Sequence, residues 1–319
     1  MKIHENFDLA DIVYYKIGGK ARFLIDIENK EDLIKAFELL KKEKVHDYFI
    51  LGHGSNLILP DTYYGGAILR FLPGKNSMKL LKANTVEAFA GDVLDKVIQF
   101  GFENNLTGLE WAGGLPGTVG AAVRGDVGAF GGEIKDVVKE VEVAEVVNGK
   151  LKFTILKRFE LKFGYRSSLV KKKKLIVVNV WFRLKTAEQS AVQKARQNYI
   201  SNIEYRKRRH PLEFPNCGSV FKNISDPEQI KAILEVYPEL EEKVKRDWRG
   251  KVSMGYLIKW FEMDGFQIGN AQISPKHCNF IINLGGAKAE EVKAIIRRVQ
   301  NKFHETFGFR PEVEVEIVS

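Results

Sequence analysis

The 319-residue chain has only two cysteines, Cys217 and Cys278. Two cysteines provide no disulfide framework, and their spacing does not suit a metal ion. The first residues lack the apolar run of a signal peptide, and no later stretch is long and apolar enough to cross a membrane. We therefore expect a cytoplasmic protein without a bound metal and without membrane insertion.

The chain also lacks the common motifs of hydrolases and of P-loop proteins. No GxSxG nucleophile elbow and no HExxH zinc motif occurs, and the sequence GHGSN has no lysine after it. The composition is ordinary for a globular protein, with 45% hydrophobic and 29% charged residues. At this length we expect two or three lobes.

The net charge of +9 is concentrated in residues 171–174 and 206–209. Nucleic-acid binding would require stacking aromatics or a recognised motif beside these clusters, and neither is present. The preferred interpretation is a solvated basic surface. The alternative is an electrostatic field that attracts small polyanions such as nucleotides.

Two glycine-rich loops are the most informative feature of the chain. The first glycine loop is GHGSN (residues 52–56), and the second is GGLPGTVG (residues 113–120). Glycine lets a backbone approach a ligand closely and reach positive φ, so that N–H groups converge on phosphate oxygens. The pair indicates a long anionic cofactor held at two places, although two ordinary tight turns would have the same composition.

The surroundings of the first loop argue against a Rossmann unit, in which the loop opens a helix. Here residues 57–59 are apolar and strand-like, Pro60 follows, and Gly65 and Gly66 predict a turn. The expected context is a strand and a hairpin.

The hydrophobic pattern predicts mixed helices and strands, which favours the α+β class. A long polar helix at residues 186–209 is a plausible connector to the last lobe. The other predicted helices are 29–44, 93–104, 227–237, 252–263 and 287–306; the predicted strands are 21–27, 48–51, 57–59, 85–90, 136–144, 151–156, 175–184, 219–222, 280–283 and 312–318.

Four polar side chains lie in further motifs that could carry chemistry. They are Arg166 in FGYRSS, Ser219 in NCGSVFKN, His277 in ISPKHCNFIIN and Glu312 in PEVEVEIV. Each also has a structural interpretation: a surface cation, a turn residue, a buried structural histidine and a solvent-facing carboxylate.

Read in order, the motifs YKIGGKA, GHGSNL, GLEWAGGLPGTVGAAV, GAFGGEI, GYRSS, GSVFKN, KHCNFIIN and PEV resemble those of the UDP-N-acetylenolpyruvoylglucosamine reductases. The resemblance extends from about Tyr15 to Ile317. It implies an FAD-binding fold of the vanillyl-alcohol-oxidase type. The implied domains are two FAD-binding lobes at residues 1–72 and 73–195 and an α+β substrate-binding domain at 196–319, whose last strand could return to the first lobe.

The resemblance also implies roles for individual residues. The catalytic arginine, serine proton donor and glutamate of the family match Arg166, Ser219 and Glu312. The motifs predict FAD contacts from Gly52, His53, Gly54, Ser55, Asn56, Leu57, Gly114, Gly117, Thr118, Gly120, Asp126 and Gly128. They predict substrate contacts from Tyr165, Lys222, Asn223 and His277.

The activity implied by the resemblance is reduction of an enolpyruvyl ether on UDP-N-acetylglucosamine to UDP-N-acetylmuramate, a step of peptidoglycan precursor synthesis. NADPH is the implied reductant, FAD is expected to bind non-covalently, and a monomer that binds no nucleic acid is expected. The chain looks like the subclass that lacks an extra tyrosine-bearing loop. It departs from the family pattern at His53, where glycine is common, and at Asp126, where asparagine is common.

Two other functions stay open on the residues alone. One is an FAD-dependent oxidase of the same fold that acts on a sugar or an alcohol. The other is a non-catalytic protein that binds nucleotides or nucleic acid through its basic clusters.

Overall fold

The computed structural model describes residues 1–318. Helices and strands are mixed along the chain. The strands are β1 (Ile3–Asp8), β2 (Lys20–Ile27), β3 (Tyr48–Leu51), β4 (Leu57–Ile58), β5 (Tyr64–Phe71), β6 (Lys79–Leu81), β7 (Thr85–Phe89), β8 (Leu106–Thr107), β9 (Gly128–Ala129), β10 (Gly132–Glu133), β11 (Val138–Val147), β12 (Lys150–Lys157), β13 (Ile176–Arg183), β14 (Lys185–Thr186), β15 (Gln267–Ile268), β16 (Ala271–Ile273), β17 (Ile281–Asn283) and β18 (Glu316–Ile317). The α-helices are α1 (Lys30–Lys42), α2 (Leu94–Glu103), α3 (Val119–Gly125), α4 (Leu169–Lys172), α5 (Gln189–Arg209), α6 (Pro227–Val236), α7 (Glu241–Arg246), α8 (Met254–Trp260) and α9 (Ala289–Phe307).

The chain forms two compact units, each with its own hydrophobic core. The first unit contains Met1–Phe7, Ala21–His53 and Tyr64–Arg208. The second contains Asp8–Lys20, Gly54–Tyr63 and the described residues from Arg209 onward. The division into three domains at residues 72 and 195 stays a prediction.

The first unit contains two larger sheets. One has the strand order β1-β2-β5-β3, and β5 lies parallel to both β2 and β3. Strand β2 is buried along most of its length, including the charged Asp26, as expected of a strand covered on both faces. The other sheet is antiparallel, in the order β12-β11-β13-β7-β6.

Helix α1 shows how sequence fixes a helix in this unit. The side chain of Asn29 accepts a hydrogen bond from the backbone N–H of Asp32 at 2.9 Å, which caps the first turn. Leu33, Ala36 and Leu40 recur at intervals of three and four and are buried on one face. The helix is therefore held by its cap and by its apolar stripe.

The second unit has small sheets and a long amphipathic helix. Strands β15, β16 and β17 are antiparallel, and β18 pairs in parallel with β4. Helix α9 ends at Gly308, whose φ of 79° suits glycine. The residues that α9 buries repeat at helical spacing: Ala289, Val292, Ile295, Ile296, Val299, Phe303 and Phe307. No helix within residues 1–318 is long and apolar enough to cross a membrane.

The structure confirms all six helices predicted from the pattern, although some are shorter than predicted. The predicted turn at Gly65 and Gly66 is wrong, since both residues lie inside strand β5. A β carbon on Gly66 would lie 2.5 Å from the carbonyl oxygen of Asp47, so glycine here allows two backbones to approach. Strand β4 accordingly pairs with β18 and not in a hairpin.

Two further differences concern short elements. Helix α3 begins within the second glycine loop, at Val119. The sequence predicts no helix there, because the seven residues of α3 include two glycines. The strand predicted at residues 219–222 is reduced to one isolated bridge between Phe221 and Val313.

The core of the second unit predicts a large stability effect at Phe303. Its side chain is fully buried and lies 5.1 Å from the ring of Phe261 and 5.5 Å from that of Phe307. We expect Phe303→Ala to cost roughly 3–5 kcal/mol, because it leaves a cavity. Thermal unfolding measures the loss, with Phe159→Ala as the control because Phe159 is 76% exposed. Equal melting temperatures for the two variants would contradict this packing.

Candidate active site

The two glycine loops, distant in sequence, come together at Gly52 and Thr118. A β carbon on Gly52 would lie 2.5 Å from Oγ1 of Thr118. This separation is too short for any side chain at position 52. The approach therefore requires glycine in the first loop and places its backbone directly against the second.

The second glycine loop is held in a conformation that suits glycine. Gly114 has φ of 72° and Gly117 has φ of 137°. Thr118 caps helix α3, because its Oγ1 accepts a hydrogen bond from the backbone N–H of Ala121 at 3.5 Å. The N–H of Gly120 donates to the carbonyl oxygen of Ala90 at 2.9 Å. These contacts fix the loop where it enters α3.

The remaining residues of the first glycine loop are also tightly placed. Gly54 has φ of 65°, and a β carbon there would lie 2.8 Å from Cγ1 of Val13. The carbonyl oxygen of Asn56 accepts a hydrogen bond from the N–H of Glu316 at 3.1 Å, just before Leu57 starts β4. Ser55, between Gly54 and Asn56 in the chain, is half-buried. Burial lowers the pKa of His53, which favours its neutral form.

Arg166 is oriented by backbone carbonyl groups. Its Nη1 donates to the carbonyl oxygen of Asp126 at 3.2 Å, and its Nη2 donates to that of Gly128 at 2.7 Å. The guanidinium carbon lies 5.1 Å from the ring centre of Tyr165. A β carbon on Gly128 would lie 2.7 Å from Cγ of Glu133, so glycine is required beside this arginine.

Asp126 is fully buried at the C-terminal end of α3, in the left-handed region with φ of 42°. Asparagine and aspartate adopt this conformation more readily than most residues, which makes the exchange from asparagine sterically mild. Oδ1 accepts the N–H of Lys135 at 3.2 Å. Oδ2 lies 3.6 Å from Nζ of Lys135, which is an ion pair without a hydrogen bond. Burial raises the pKa of Asp126, and Lys135 opposes that shift.

Ser219 and Glu312 lie on adjacent backbone segments of the second unit. The N–H of Lys222 donates to the carbonyl oxygen of Glu312 at 3.0 Å, and Nζ of Lys222 lies 2.5 Å from Oε1 of Glu312. The side chain of Glu312 is 70% exposed. Ser219 follows Gly218, whose φ is 83°, and its hydroxyl has no hydrogen-bond partner within residues 1–318. That hydroxyl can therefore donate to a ligand.

Asn223 and His277, both predicted to contact substrate, make structural contacts within the second unit. Oδ1 of Asn223 accepts the N–H of Met254 at 3.1 Å, where α8 begins. Nδ1 of His277 accepts the N–H of Asn279 at 3.3 Å, and burial lowers the pKa of His277. The neutral form that accepts this hydrogen bond is therefore favoured.

The sequence does not identify Arg206 as a site residue, because nothing in the basic cluster at residues 206–209 indicates that one of its members is buried. Its side chain lies against the second glycine loop, where Nε donates to the carbonyl oxygen of Gly113 at 3.0 Å. Its guanidinium carbon lies 5.2 Å from the ring centre of Phe130. Burial lowers the pKa of Arg206 to about 10, and it has no carboxylate partner in the described part of the chain.

These observations of the first unit fit an anionic cofactor. The backbone of the second glycine loop has no side chains at Gly114 and Gly117, and within residues 1–318 no carboxylate neutralises the positive charge of Arg206. Buried charges ordinarily have a partner, and a phosphate group is one that suits a guanidinium. In the described chain no group of three or more His, Cys, Asp or Glu side chains could hold a metal ion.

Comparison with known families defines the class first. Residues 21–154 match the family described as "FAD binding domain", so the chain is an FAD-binding protein. Residues 210–318 match the C-terminal domain of UDP-N-acetylenolpyruvoylglucosamine reductase. Together the two matches cover most of both units.

Similarity to complete proteins then defines the family. The reductase of Caldicellulosiruptor saccharolyticus is 34% identical over 97% of this chain and 90% of its own length. The Clostridium perfringens reductase is 33% identical over 97% of this chain and 91% of its own. The crystal structure of the Thermus caldophilus enzyme has a TM-score of 0.75 and 29% identity, and covers 100% of this chain and 98% of that one. The chain belongs to the UDP-N-acetylenolpyruvoylglucosamine reductase family.

Family membership confirms the α+β FAD-binding fold and the FAD cofactor that the sequence predicts. It confirms an oxidoreductase as the class of enzyme. The roles of the individual site residues stay predictions.

The contact between the glycine loops predicts a selective effect on FAD binding. We expect Gly52→Ala to push the first loop away from Thr118 and to raise the dissociation constant for FAD about ten- to hundredfold, since overpacking costs roughly 1–3 kcal/mol. Titration of the apoprotein with FAD, followed by flavin fluorescence, measures it. Gly65→Ala is the matched control, because a β carbon there has nothing within 4 Å. Equal FAD affinity of the two variants would contradict this role of Gly52.

Proposed function

We propose that this protein reduces the enolpyruvyl ether of UDP-N-acetylglucosamine to UDP-N-acetylmuramate with NADPH, for peptidoglycan precursor synthesis. The observation that carries this proposal is similarity along nearly the whole chain to reductases of that name. We further propose that the enzyme works in the cytoplasm as a monomer and does not act on nucleic acid.

The site residues support a reaction in which negative charge develops beside a carboxylate. Bound FAD would supply the hydride chemistry, taking a hydride from NADPH and delivering it to the terminal methylene of the substrate. The negative charge then forms on the carbon that carries the substrate carboxylate. Arg166 is suited to stabilise it, because two backbone carbonyls hold its guanidinium in one orientation. Preorganised donors of this kind contribute roughly 2.7–4 kcal/mol each.

The same carbon must receive a proton to complete the lactyl ether. We assign that proton to the Ser219 hydroxyl, which has no hydrogen-bond partner within residues 1–318. Glu312 would lie near the substrate carboxylate. Lys222 forms an ion pair with Glu312. A hydroxyl is a weak acid in water, but the carbanion is a strong base, so a well-positioned serine suffices.

The geometry of the glycine loops supports the FAD contacts that we propose for them. Glycine at position 114 lets Arg206 pack against the loop, with Cδ of Arg206 3.1 Å from the position of a β carbon there. Arg206 thereby adds a buried positive charge beside Gly113. Asp126 contacts Arg166 and Lys135, so we propose that it acts mainly by orienting them. His53 is expected to bind FAD without a covalent bond.

An oxidase of the same fold is the competing function, and a direct assay separates the two. The proposal predicts NADPH consumption that depends on the enolpyruvyl nucleotide. Oxygen consumption with sugars or polyols, and no use of the nucleotide, would contradict it.

Replacement of Ser219 tests the proton donor. We expect Ser219→Ala to slow turnover by about 10²–10⁴-fold, typical of a lost acid–base group, because the carbanion has no proton source. Reduction of the flavin by NADPH should be nearly unchanged. Rapid-mixing spectra of the flavin band resolve the two half-reactions. Ser225→Ala is the control, since Ser225 is exposed and lies six residues along the chain. Equal losses of rate in flavin reduction and in flavin reoxidation would contradict the assignment of Ser219 as the proton donor.

A further inference from the structure

The segment of residues 219–222, which carries Ser219, is not part of a regular strand. On one side it pairs with the chain near Glu312, through the N–H of Glu314 to the carbonyl oxygen of Val220 at 2.8 Å and the N–H of Lys222 to that of Glu312. On this side, the hydrogen bonds involve only Val220 and Lys222, which are alternate residues of the segment. The backbone groups of Phe221 face the other side and need a partner there.

That partner is the single residue Asn279. Its carbonyl oxygen accepts the N–H of Val220 at 2.8 Å. Its side chain does more: Oδ1 accepts the N–H of Phe221 at 3.0 Å, and Nδ2 donates to the carbonyl oxygen of Phe221 at 2.9 Å. One side-chain amide thus satisfies both backbone groups of Phe221, as a neighbouring strand would.

The chemistry of the contact is specific to asparagine at this position. Aspartate retains the acceptor but has no N–H to donate, and leucine of similar size has neither group. Asn279 is 3% exposed and Phe221 is 2% exposed, so water cannot easily replace the lost hydrogen bonds. A buried backbone group left unpaired costs about 1–3 kcal/mol, which the segment can avoid only by moving.

Asn279 is itself rigidly held. Its N–H donates to Nδ1 of His277, and its Cβ lies 3.6 Å from the position that a β carbon on Gly255 would take. The residue also directly precedes the buried stretch that forms β17. The amide is therefore anchored in the core of the second unit, while the segment it pairs with leads back to the half-buried Ser219.

We propose that Asn279 is the positioning residue of the proton donor: its side-chain amide fixes the backbone of Phe221 and thereby the hydroxyl of Ser219, two residues away. The inference rests on the proposed function, in which Ser219 protonates the substrate carbon. Asn279 does not touch the substrate in this account. It acts by holding the hydroxyl within the narrow range of distances that proton transfer requires.

Asn279→Asp tests the proposal, because it preserves the shape of the side chain and replaces the N–H donor with a carboxylate oxygen, which when ionised repels the carbonyl oxygen of Phe221. We expect reoxidation of the reduced flavin by the enolpyruvyl nucleotide to slow about 10²-fold, the loss that follows a 1 Å misplacement. Reduction by NADPH should not change. The solvent deuterium isotope effect on reoxidation should rise, because proton delivery becomes slower.

Asn283→Asp is the matched control. Asn283 is 2% exposed in the same core, and its Nδ2 donates to the carbonyl oxygen of Tyr15 at 3.0 Å. Loss of this hydrogen bond should lower the melting temperature of the protein without raising the solvent deuterium isotope effect on reoxidation. Should Asn279→Asp be too unstable to purify, Asn279→Gln carries the same prediction with a smaller loss, since it retains both groups at the wrong reach.

The outcomes separate this inference from the proposed function. If Ser219→Ala retains full reoxidation, the proton-donor role fails, whatever Asn279 does. If Ser219→Ala is impaired but Asn279→Asp matches Asn283→Asp in rate and isotope effect, the positioning role alone is overturned. The double variant that combines Ser219→Ala with Asn279→Asp has no Ser219 hydroxyl left to position. Its rate of flavin reoxidation should therefore equal that of Ser219→Ala alone. An additional loss in the double variant would also overturn the positioning role.

Discussion

The candidate site depends on an approach of the first glycine loop to the side chain of Thr118 so close that no β carbon fits between them. Gly52 meets Thr118 in this way, and the rest of the second glycine loop is then held by the N–H of Gly120 and by Arg206. Glycine occupies half of the eight positions of this loop, and the N–H groups of Gly113, Leu115, Val119 and Gly120 donate within the protein. A loop fixed at both ends presents its remaining N–H groups without further reorganisation. This is the condition under which backbone donors bind a phosphate group effectively.

Backbone carbonyl groups orient the charged residues of the site in a similar manner. Arg166 is held by the carbonyl oxygens of Asp126 and Gly128, and Arg206 by that of Gly113. A carbonyl orients a guanidinium without cancelling its charge, whereas a carboxylate does both. Arg206, which has no carboxylate partner within residues 1–318, thus keeps its positive charge at a fixed position, which favours an anionic cofactor.

The sequence predicted the fold well where the pattern is long and periodic, as in α1 and α9. It failed where close packing replaces periodicity: Gly65 and Gly66 predict a turn, but both lie in β5, where Gly66 makes room for the backbone of Asp47. The glycine loops and Arg166 could be identified from motifs. Arg206 could not, because a buried arginine within a basic cluster has no local signal in the chain. Asn279 lies in the ISPKHCNFIIN motif beside Lys276 and His277, but the pairing of its amide with a distant backbone has no local signal.

A single turnover of the bound flavin distinguishes a reductase of the enolpyruvyl nucleotide from an oxidase of the same fold. The purified protein is reduced with one equivalent of NADPH without oxygen, and one equivalent of the enolpyruvyl nucleotide is then added. If the protein reduces the enolpyruvyl nucleotide, the oxidised flavin band returns completely, and one lactyl ether forms per flavin. A band that stays bleached until oxygen is admitted would contradict it.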